Sequence, residues 1–269
     1  IKHNSSVYYS IMVGQGLANM IGNAITGGGP SVGGGGSTPF TNLYSADYDG
    51  VDDYIATNST YSALDGQTKA SFSVWVKPIS GAPALRYVFQ IGVGSTGTNA
   101  QCQLYLYEGN RIDFSVDTGS YFGRGNISAI TYGSWNHILI TVDFAGSTDF
   151  KCYVNGADET TSHNMTSRSA FSTATDELYI GESKTGVYNP FKGNIDEFAI
   201  WAGTTLTSGD AVTLYNSGTP TDLSTFSTPP SNWWRMGDNN GGTGTVLSDA
   251  IGSASATLIN GTTYTTDVP

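Results

Sequence analysis

The chain has 269 residues and a net charge of −11, and charged residues make up only 12% of it. This acidic balance offers no basic face for nucleic-acid phosphates, so no nucleic-acid partner is expected. No run of about 18 apolar residues occurs, so membrane insertion is not expected, whereas 35 glycines and 16 tyrosines favour β-structure with many tight turns.

The N-terminal part of the chain differs in composition from the rest. Residues 1–46 contain no acidic residue, and residues 27–37 read GGGPSVGGGGS, which is typical of a flexible linker. Before the linker, apolar residues recur at the spacing of one helical stripe, at Leu17, Met20, Ile21 and Ala24. We therefore expect residues 1–26 to be an anchoring and assembly segment that binds a partner protein or a second copy of the chain. A frayed terminus is the alternative.

The rest of the chain is predicted to contain a linker at 27–39, a folded body at 40–222 and C-terminal strands at 223–269 that pack on the body. Within the body, apolar and polar residues alternate in FSVWVKP and in LYLYEGNRIDFSV. Glu108-Gly-Asn-Arg111 and Asn155-Gly156 are hairpin-turn signals. Strands that follow one another without intervening helices predict an all-β, antiparallel sandwich.

One short helix is predicted near the end of the body. Thr207 and Asp210 have the spacing of a capping box, and Leu214 and Tyr215 follow on one helical face. Gly218 is expected to end the helix.

Four segments of the body carry a resemblance when they are taken in order. They are YDGVDDYI (48–55), FSVWVKP (72–78), WNHILITVDFAGSTDFKCYVNG (135–156) and GNIDEFAIW (193–201). Together they resemble the laminin-G-like, or concanavalin A-like, lectin/glucanase superfamily. The resemblance implies a jelly-roll sandwich in which Trp75 and Trp135 anchor the core and His137 is a structural residue. The C-terminal tail, which ends in TTDVP, is similar to structural proteins of tailed phages.

Four carboxylates crowd into residues 47–53, and such crowding needs a reason. The spacing does not fit an EF-hand, because the sixth position from Asp47 is Asp52 rather than glycine. No glutamate begins the E-x-D-x-E pattern of the glucanase branch of the superfamily. The resemblance implies that the first strand lies beside the closing strand and that a structural Ca²⁺ binds there. The expected ligands are Asp49, Asp52, Asp53 and Asp196. The alternative is that these carboxylates only hydrogen-bond the turn and nearby loops.

Sugar binding would use aromatic rings and polar groups on a sheet face or a loop rim. Tyr105 and Tyr107 lie on the polar side of their predicted strand, and the other candidates are expected in loops. These others are Tyr121, Arg124, Tyr188 and Asn189. The alternative is that the aromatic residues serve packing alone.

The combined expectation is a non-enzymatic virion structural protein at the virion surface. It would be a capsid decoration or a fibre or tail-associated protein that displays a lectin-like domain for glycan or host-surface adhesion. Its expected partners are other virion proteins, bound through residues 1–26, a carbohydrate ligand and further copies of the chain. A secreted, extracellular carbohydrate-binding module or adhesin of a bacterium is the alternative. Cys102 and Cys152 are expected to be buried free thiols two strands apart in one sheet.

Overall fold

The computed structural model describes most of the chain from residue 40 onward. The described ranges are 40–57, 59–81, 85–92, 100–116, 121–146, 150–165, 169–173, 176–183 and 189–269. The predicted anchor at 1–26, the linker at 27–39 and Tyr188 lie outside these ranges.

The described residues form two antiparallel sheets and one α-helix. The strands are β1 (Ser45–Asp49), β2 (Tyr54–Ala56), β3 (Lys69–Pro78), β4 (Leu85–Gly92), β5 (Ala100–Tyr107), β6 (Arg111–Val116), β7 (Tyr121–Asn126), β8 (Asn136–Asp143), β9 (Phe150–Val154), β10 (Ala157–Asp158), β11 (Thr160–Asn164), β12 (Leu178–Ile180), β13 (Lys192–Ala202), β14 (Asn232–Trp234), β15 (Val246–Leu247), β16 (Ala256–Ile259) and β17 (Thr263–Thr265). The helix α1 spans Ser208–Tyr215. The predicted all-β, antiparallel architecture with one short helix is confirmed.

The strands divide between sheet A and sheet B. Sheet A has the order β10-β9-β8-β3-β13-β1-β17, and β14 pairs with β13. Sheet B has the order β11-β7-β6-β5-β4-β12-β2-β16-β15. Residues 223–269, which were expected to pack on the sandwich, contribute β14 and β17 to sheet A and β15 and β16 to sheet B.

The hydrophobic core lies between the two sheets. Phe72 of β3 is fully buried, and its ring centroid lies 5.1 Å from that of Phe89 in β4 and 5.3 Å from that of Phe114 in β6. Each such side chain stabilises the fold by about 1.5–3 kcal/mol when it is removed from water. The period-two alternation read from the sequence therefore identifies the inward face of these strands.

The outer face of sheet A is covered by a second, smaller hydrophobic cluster. Leu139 of β8 and Trp201 of β13 are packed there with Leu214 of α1 and with Leu223 and Phe226. The central strands of sheet A are therefore buried on both faces. Since α1 lies on sheet A, no helix among the described residues covers the outer face of sheet B.

The turn and cap signals largely agree with the structure. Asn155 and Gly156 both have positive φ, at 50° and 80°, as a two-residue hairpin turn requires. Thr207 caps α1 and forms the capping box with Asp210. The helix ends two residues earlier than expected, because Asn216 takes the left-handed C-cap conformation in place of Gly218.

Of the two tryptophans that were expected to anchor the core, Trp75 is buried and Trp135 is not. Trp135 is only partly buried, because it lies in the turn before β8, and its indole N–H donates to an Asp267 carboxylate oxygen at 3.1 Å. Trp75 is buried, but on the outer face of sheet A, with its ring 5.9 Å from that of Tyr215. Cys102 and Cys152 are buried free thiols as predicted, yet they lie on β5 and β9, in different sheets.

Candidate functional site

The outer face of sheet B carries a cluster of half-buried aromatic and basic side chains. We call it the tyrosine face and define it by Tyr87, Tyr105, Tyr107, Arg111 and Arg124. The strand register brings them together, because Tyr87 of β4 pairs with Tyr105 of β5 and Tyr107 pairs with Arg111 of β6. The Tyr87 and Tyr105 ring centroids lie 5.4 Å apart.

A buried carboxylate organises the two arginines of the tyrosine face. Asp113 of β6 is 2% exposed and accepts from Arg111 Nε at 2.5 Å and from Arg124 Nε at 3.0 Å. Each guanidinium also lies over a ring, Arg111 over Tyr107 at 5.3 Å and Arg124 over Phe122 at 4.1 Å. These contacts fix both arginines while their terminal Nη groups make no hydrogen bond to a described residue. The arginines therefore keep donors that a ligand can use.

Polar side chains next to the tyrosine face form a ladder across three strands. Gln90 Nε2 donates to Gln103 Oε1 at 3.3 Å, and Gln103 Nε2 donates to Ser115 Oγ at 2.8 Å. Gln90 and Ser115 are buried at 1% and 2% exposure. The ladder ties β4, β5 and β6 together, so the aromatic rings sit on a rigid support.

The electrostatics of the face combine one buried negative charge with two positive charges. Burial, and then the charge of Asp113, raise the pKa of Tyr105, so this phenol stays protonated as a hydrogen-bond donor. Two arginines and one aspartate leave the face with a net positive charge on a strongly acidic chain. The arrangement suits a ligand that combines a flat apolar surface with oxygen acceptors.

Sequence reasoning identified part of the tyrosine face. Tyr105, Tyr107 and Arg124 lie together on it, and the Asn189 carbonyl accepts from the Tyr87 amide at 3.1 Å. Tyr121 and Arg124 lie in strand β7 rather than in a loop. Tyr188 lies outside the described residues.

Strand β7 was missed because its sequence, YFGRGN, looks like a loop. Gly123 and Gly125 are needed there for close packing. A Cβ atom at Gly123 would lie 2.2 Å from the Phe150 ring, and one at Gly125 would lie 2.4 Å from Cys152 Sγ. Tyr87, Arg111 and Asp113 were also missed, although the Glu108–Arg111 turn fixes the register that pairs Arg111 with Tyr107.

The acidic turn joins β1 to β2 and contains Asp49, Asp52 and Asp53. Their carboxylate oxygens lie within 4.8 Å of one another. Asp49 Oδ1 accepts from the Val51 amide at 2.7 Å, and Asp53 Oδ2 accepts from the Asp49 amide at 2.8 Å. One oxygen of Asp49 and one of Asp53 therefore stabilise the turn, as in the simpler of the two sequence interpretations.

The second oxygen of Asp53 has no protein partner. Asp53 is 3% exposed, and its Oδ1 is buried without a hydrogen bond to a described residue. Burial raises the pKa of Asp53, and burial followed by the charge of Asp52 raises the pKa of Glu182 to about 7. No local pattern pointed to Glu182, since this residue reaches the turn only through the pairing of β12 with β2.

Asp196 lies away from the acidic turn. The closing strand β13 does pair with β1, as the resemblance implied, but the register sets Lys192 opposite Asp49. Asp196 is four residues further along β13, about 13 Å away at the usual strand rise. Its carboxylate accepts from Asn42 Nδ2 at 2.9 Å and from the Glu197 amide at 2.8 Å.

A buried ionic cluster surrounds Asp196 and its neighbour Glu197. Glu197 accepts from the indole N–H of Trp233 and from Arg235 Nε at 3.3 Å. Arg235 also donates to Asp238 at 2.9 Å and to the Thr41 carbonyl at 2.5 Å. The cluster ties the chain at Thr41 to the body and the C-terminal segment.

His137 has a structural environment. Its Nε2 lies 2.8 Å from Ser73 Oγ, and burial lowers the pKa of His137 to about 3. The adjacent cavity, of about 10 Å³, has room for one water, and Leu214 of α1 is part of its lining. The serine and the histidine are both buried, at 3% and 1% exposure.

The sequence matches a family model over residues 49–212, and the family is described as the concanavalin A-like lectin/glucanases superfamily. No curated protein matches the chain. In the described part of the chain, none of the helices has the length and apolar character needed to cross a membrane.

Three solved structures share the fold at low identity. A protein of Bacteroides ovatus ATCC 8483, described as a candidate carbohydrate-binding protein, has a TM-score of 0.61 and 17% identity over 87% of this chain and 62% of its own. The heptameric SAP-like pentraxin of Limulus polyphemus has a TM-score of 0.51 and 16% identity over 65% of this chain and 82% of its own. The leech intramolecular trans-sialidase has a TM-score of 0.51 and 14% identity over 67% of this chain and 28% of its own. This chain thus spans less than two thirds of the Bacteroides protein.

Proposed function

Because this chain belongs to the concanavalin A-like lectin/glucanases superfamily, we propose that it is a non-enzymatic carbohydrate-binding protein whose ligand lies on the tyrosine face. One observation carries the proposal. Arg111 and Arg124 are held by Asp113 beside three half-buried tyrosines, and their Nη groups make no hydrogen bond to a described residue. The cluster lies on the sheet face that no described helix covers.

The chemistry of the face favours glycans that carry acidic groups. Tyrosine rings offer flat apolar surfaces for the C–H face of a sugar ring. Guanidinium donors pair best with carboxylate or sulfate oxygens, through charge-assisted and often bidentate hydrogen bonds. The ligand class is therefore a glycan with a carboxylate or a sulfate close to one exposed sugar ring.

A catalytic role for this face is not proposed. Glycoside hydrolysis uses two carboxyl groups about 5–9.5 Å apart. The buried carboxylate beside the tyrosine face, Asp113, forms ion pairs with both Arg111 and Arg124, so its two oxygens are already occupied by protein partners. The fold-sharing sialidase carries such a sandwich as a minor part of a longer chain.

The binding proposal is tested on a glycan array that contains neutral, sialylated, uronate and sulfated glycans. We expect the full chain to bind acidic glycans, and Arg124→Gln to lower the affinity about tenfold, because a hydrogen bond to a charged group contributes about 1.5–3 kcal/mol. Lys77→Gln removes the same charge from sheet A and is the matched control. Equal weakening by both variants, or no glycan binding at all, would contradict the proposal.

We further propose that the domain is displayed on a virion surface, as a capsid decoration or a fibre or tail-associated protein that residues 1–26 attach to other virion proteins. The glycine-rich linker and the likeness of the tail to phage structural proteins support this assignment. A secreted bacterial carbohydrate-binding module or adhesin is the second candidate, supported by the carbohydrate-binding description of the Bacteroides protein. Mass spectrometry of purified virions distinguishes the two, since the chain is expected in the particles only under the first.

For the acidic turn we propose a structural Ca²⁺ held by Asp49, Asp52 and Asp53. The unpartnered, buried Oδ1 of Asp53 supports it, because a buried carboxylate oxygen without a hydrogen bond is costly unless a cation or water satisfies it. Oxygen-only donors also suit Ca²⁺. Asp196 is not included, since the β1–β13 register carries it away from the turn.

Calcium is expected to stabilise the folded chain. A hundredfold excess over Kd contributes about 2.7 kcal/mol, so a chelator should lower the Tm by several degrees, at roughly 2–4 °C per kcal/mol for a chain of this size. Asp53→Asn keeps an oxygen for the turn and should abolish the calcium effect. Asp158→Asn, a surface control, should retain it, and a Tm insensitive to chelator in the wild type would rule out the site.

A further inference from the structure

A concave site lies on the opposite side of the sandwich from the tyrosine face. A cleft of about 360 Å³ opens on the outer face of sheet A, between strands β8 and β9 and the segment before α1. We call it the β8–β9 cleft. Its volume falls in the range of small-ligand sites. Its lining includes Thr141, Asp143, Lys151, Tyr153, Thr205 and Leu206.

One hydroxyl group of the lining is buried without a hydrogen-bond partner among the described residues. It is Thr205 Oγ1. Thr141, which is 3% exposed, lines the same cleft. Buried polar groups are nearly always satisfied, so the Thr205 hydroxyl indicates a missing water or ligand.

The walls of the cleft are rigid and partly apolar. Tyr153 and Leu206 are 5% and 4% exposed and belong to the hydrophobic cluster that holds α1 on sheet A. The register pairs Thr141 with Lys151 and Leu139 with Tyr153, so Thr141 and Tyr153 project from the same outer face. An aromatic side chain beside threonine hydroxyls is a combination that suits a sugar ring.

The charged groups at the cleft are already paired. Lys151 Nζ lies 2.6 Å from Asp158, and Asp143 lies 2.9 Å from Lys69 Nζ. An ionic ligand would have to compete with these pairs, whereas a neutral ligand leaves them in place. The tyrosine face differs in this respect, because its arginines keep unpaired donors.

We propose that the β8–β9 cleft is a second sugar site, which binds one neutral pyranose ring through the hydroxyls of Thr141 and Thr205. The site is independent of the acidic-glycan site and goes beyond it. Since the two sites lie on opposite outer faces of the sandwich, one chain could link two glycans. Linked sites raise the overall avidity without any new contact.

The test uses methyl-labelled NMR of the full chain, titrated with methyl pyranosides of the gluco, galacto and manno series and with N-acetylglucosamine. We expect a saturable shift of the Leu206 methyl signals with at least one probe. Thr141→Val removes one hydroxyl at nearly constant shape and should weaken binding about 2- to 10-fold, the usual range for one neutral hydrogen bond. Thr141→Ser keeps the hydroxyl and should retain binding.

The outcomes separate this site from the tyrosine face. Tyr105→Ala, which alters the tyrosine face alone, should leave the Leu206 response unchanged. The proposal is overturned if no probe moves the Leu206 signals saturably up to its solubility limit. It is also overturned if Thr141→Val binds as tightly as the wild type.

Discussion

Replacing Trp234 with alanine is expected to lower the free energy of unfolding by about 3–5 kcal/mol, as large-to-small changes of buried aromatic residues do. Trp234 lies in the C-terminal strand β14 and is fully buried. Its ring stacks on Phe198 of β13 at 5.6 Å, and its indole N–H donates to the Ala254 carbonyl at 2.7 Å. The substitution would leave a cavity and an unsatisfied carbonyl in the core.

Trp135→Ala is the matched control for this prediction. Trp135 belongs to a stronger family motif, but it is partly exposed and donates one exposed hydrogen bond. We expect Trp135→Ala to lower the free energy of unfolding by about 1 kcal/mol or less. Urea unfolding with unchanged m-value measures both variants. A larger loss for Trp135→Ala than for Trp234→Ala would mean that the C-terminal segment is not part of the core.

The second large effect is a pH dependence that arises in the buried ionic cluster. Burial raises the pKa of Glu197 from its ordinary value of 4.5 to about 7, and burial together with the charge of Glu197 raises the pKa of Asp196 well above its usual range. The native state therefore holds protons that the unfolded chain releases. This contribution to stability is complete below about pH 4.5 and is lost as pH rises through about 7.

His137 acts in the opposite sense over much of the same range. Burial lowers the pKa of His137 from 6.5 to about 3, so the unfolded chain takes up a proton that the native state excludes. The two effects partly cancel in the wild type, and a simple stability curve would hide both.

Comparing the wild type with Glu197→Gln isolates the effect of the Glu197 carboxylate on stability, since His137 titrates in both chains and its contribution cancels. The variant loses one hydrogen-bond acceptor for Trp233 or Arg235, which lowers its free energy of unfolding by an amount that does not depend on pH. Its free energy of unfolding relative to the wild type should nevertheless improve by about 1–3 kcal/mol between about pH 5 and about pH 8. Urea titrations at both pH values measure this difference, and a difference that does not change with pH would show that Glu197 is ionised normally in the fold.

The sequence predicted the sandwich because its strands obey local rules. Phe72, Val74 and Val76 recur at every second position, the Asn155-Gly156 turn needs two positive φ angles, and Thr207 with Asp210 caps the helix. Each signal lies within a few residues of its effect. These local signals, with the four motifs in order, were enough for the fold class.

The candidate sites depend on register and on packing between distant segments, which local patterns do not encode. Asp196 was placed with the acidic turn because β1 and β13 were correctly expected to be neighbours. The pairing of Asp49 with Lys192 then separates the two by four residues. A correct choice of neighbouring strands is therefore insufficient to place a metal ligand.

The face that stays open was equally unpredictable from alternation alone. Trp75 and Tyr105 both occupy outward positions of their strands, but α1 covers the first through Tyr215 and leaves the second uncovered. Which outer face is covered depends on where α1 and residues 223–226 pack. The strand sequences alone do not specify that packing.

The most direct test of carbohydrate binding on sheet B is NMR mapping of the full chain with an acidic glycan selected on the array. We predict saturable amide shifts concentrated in β4, β5, β6 and β7, around Tyr105 and Arg124. These shifts should be lost in Arg124→Gln and retained in Lys77→Gln, which would assign the binding to the tyrosine face. Saturable shifts confined to sheet A or to the acidic turn, or no saturable shift anywhere, would contradict the account.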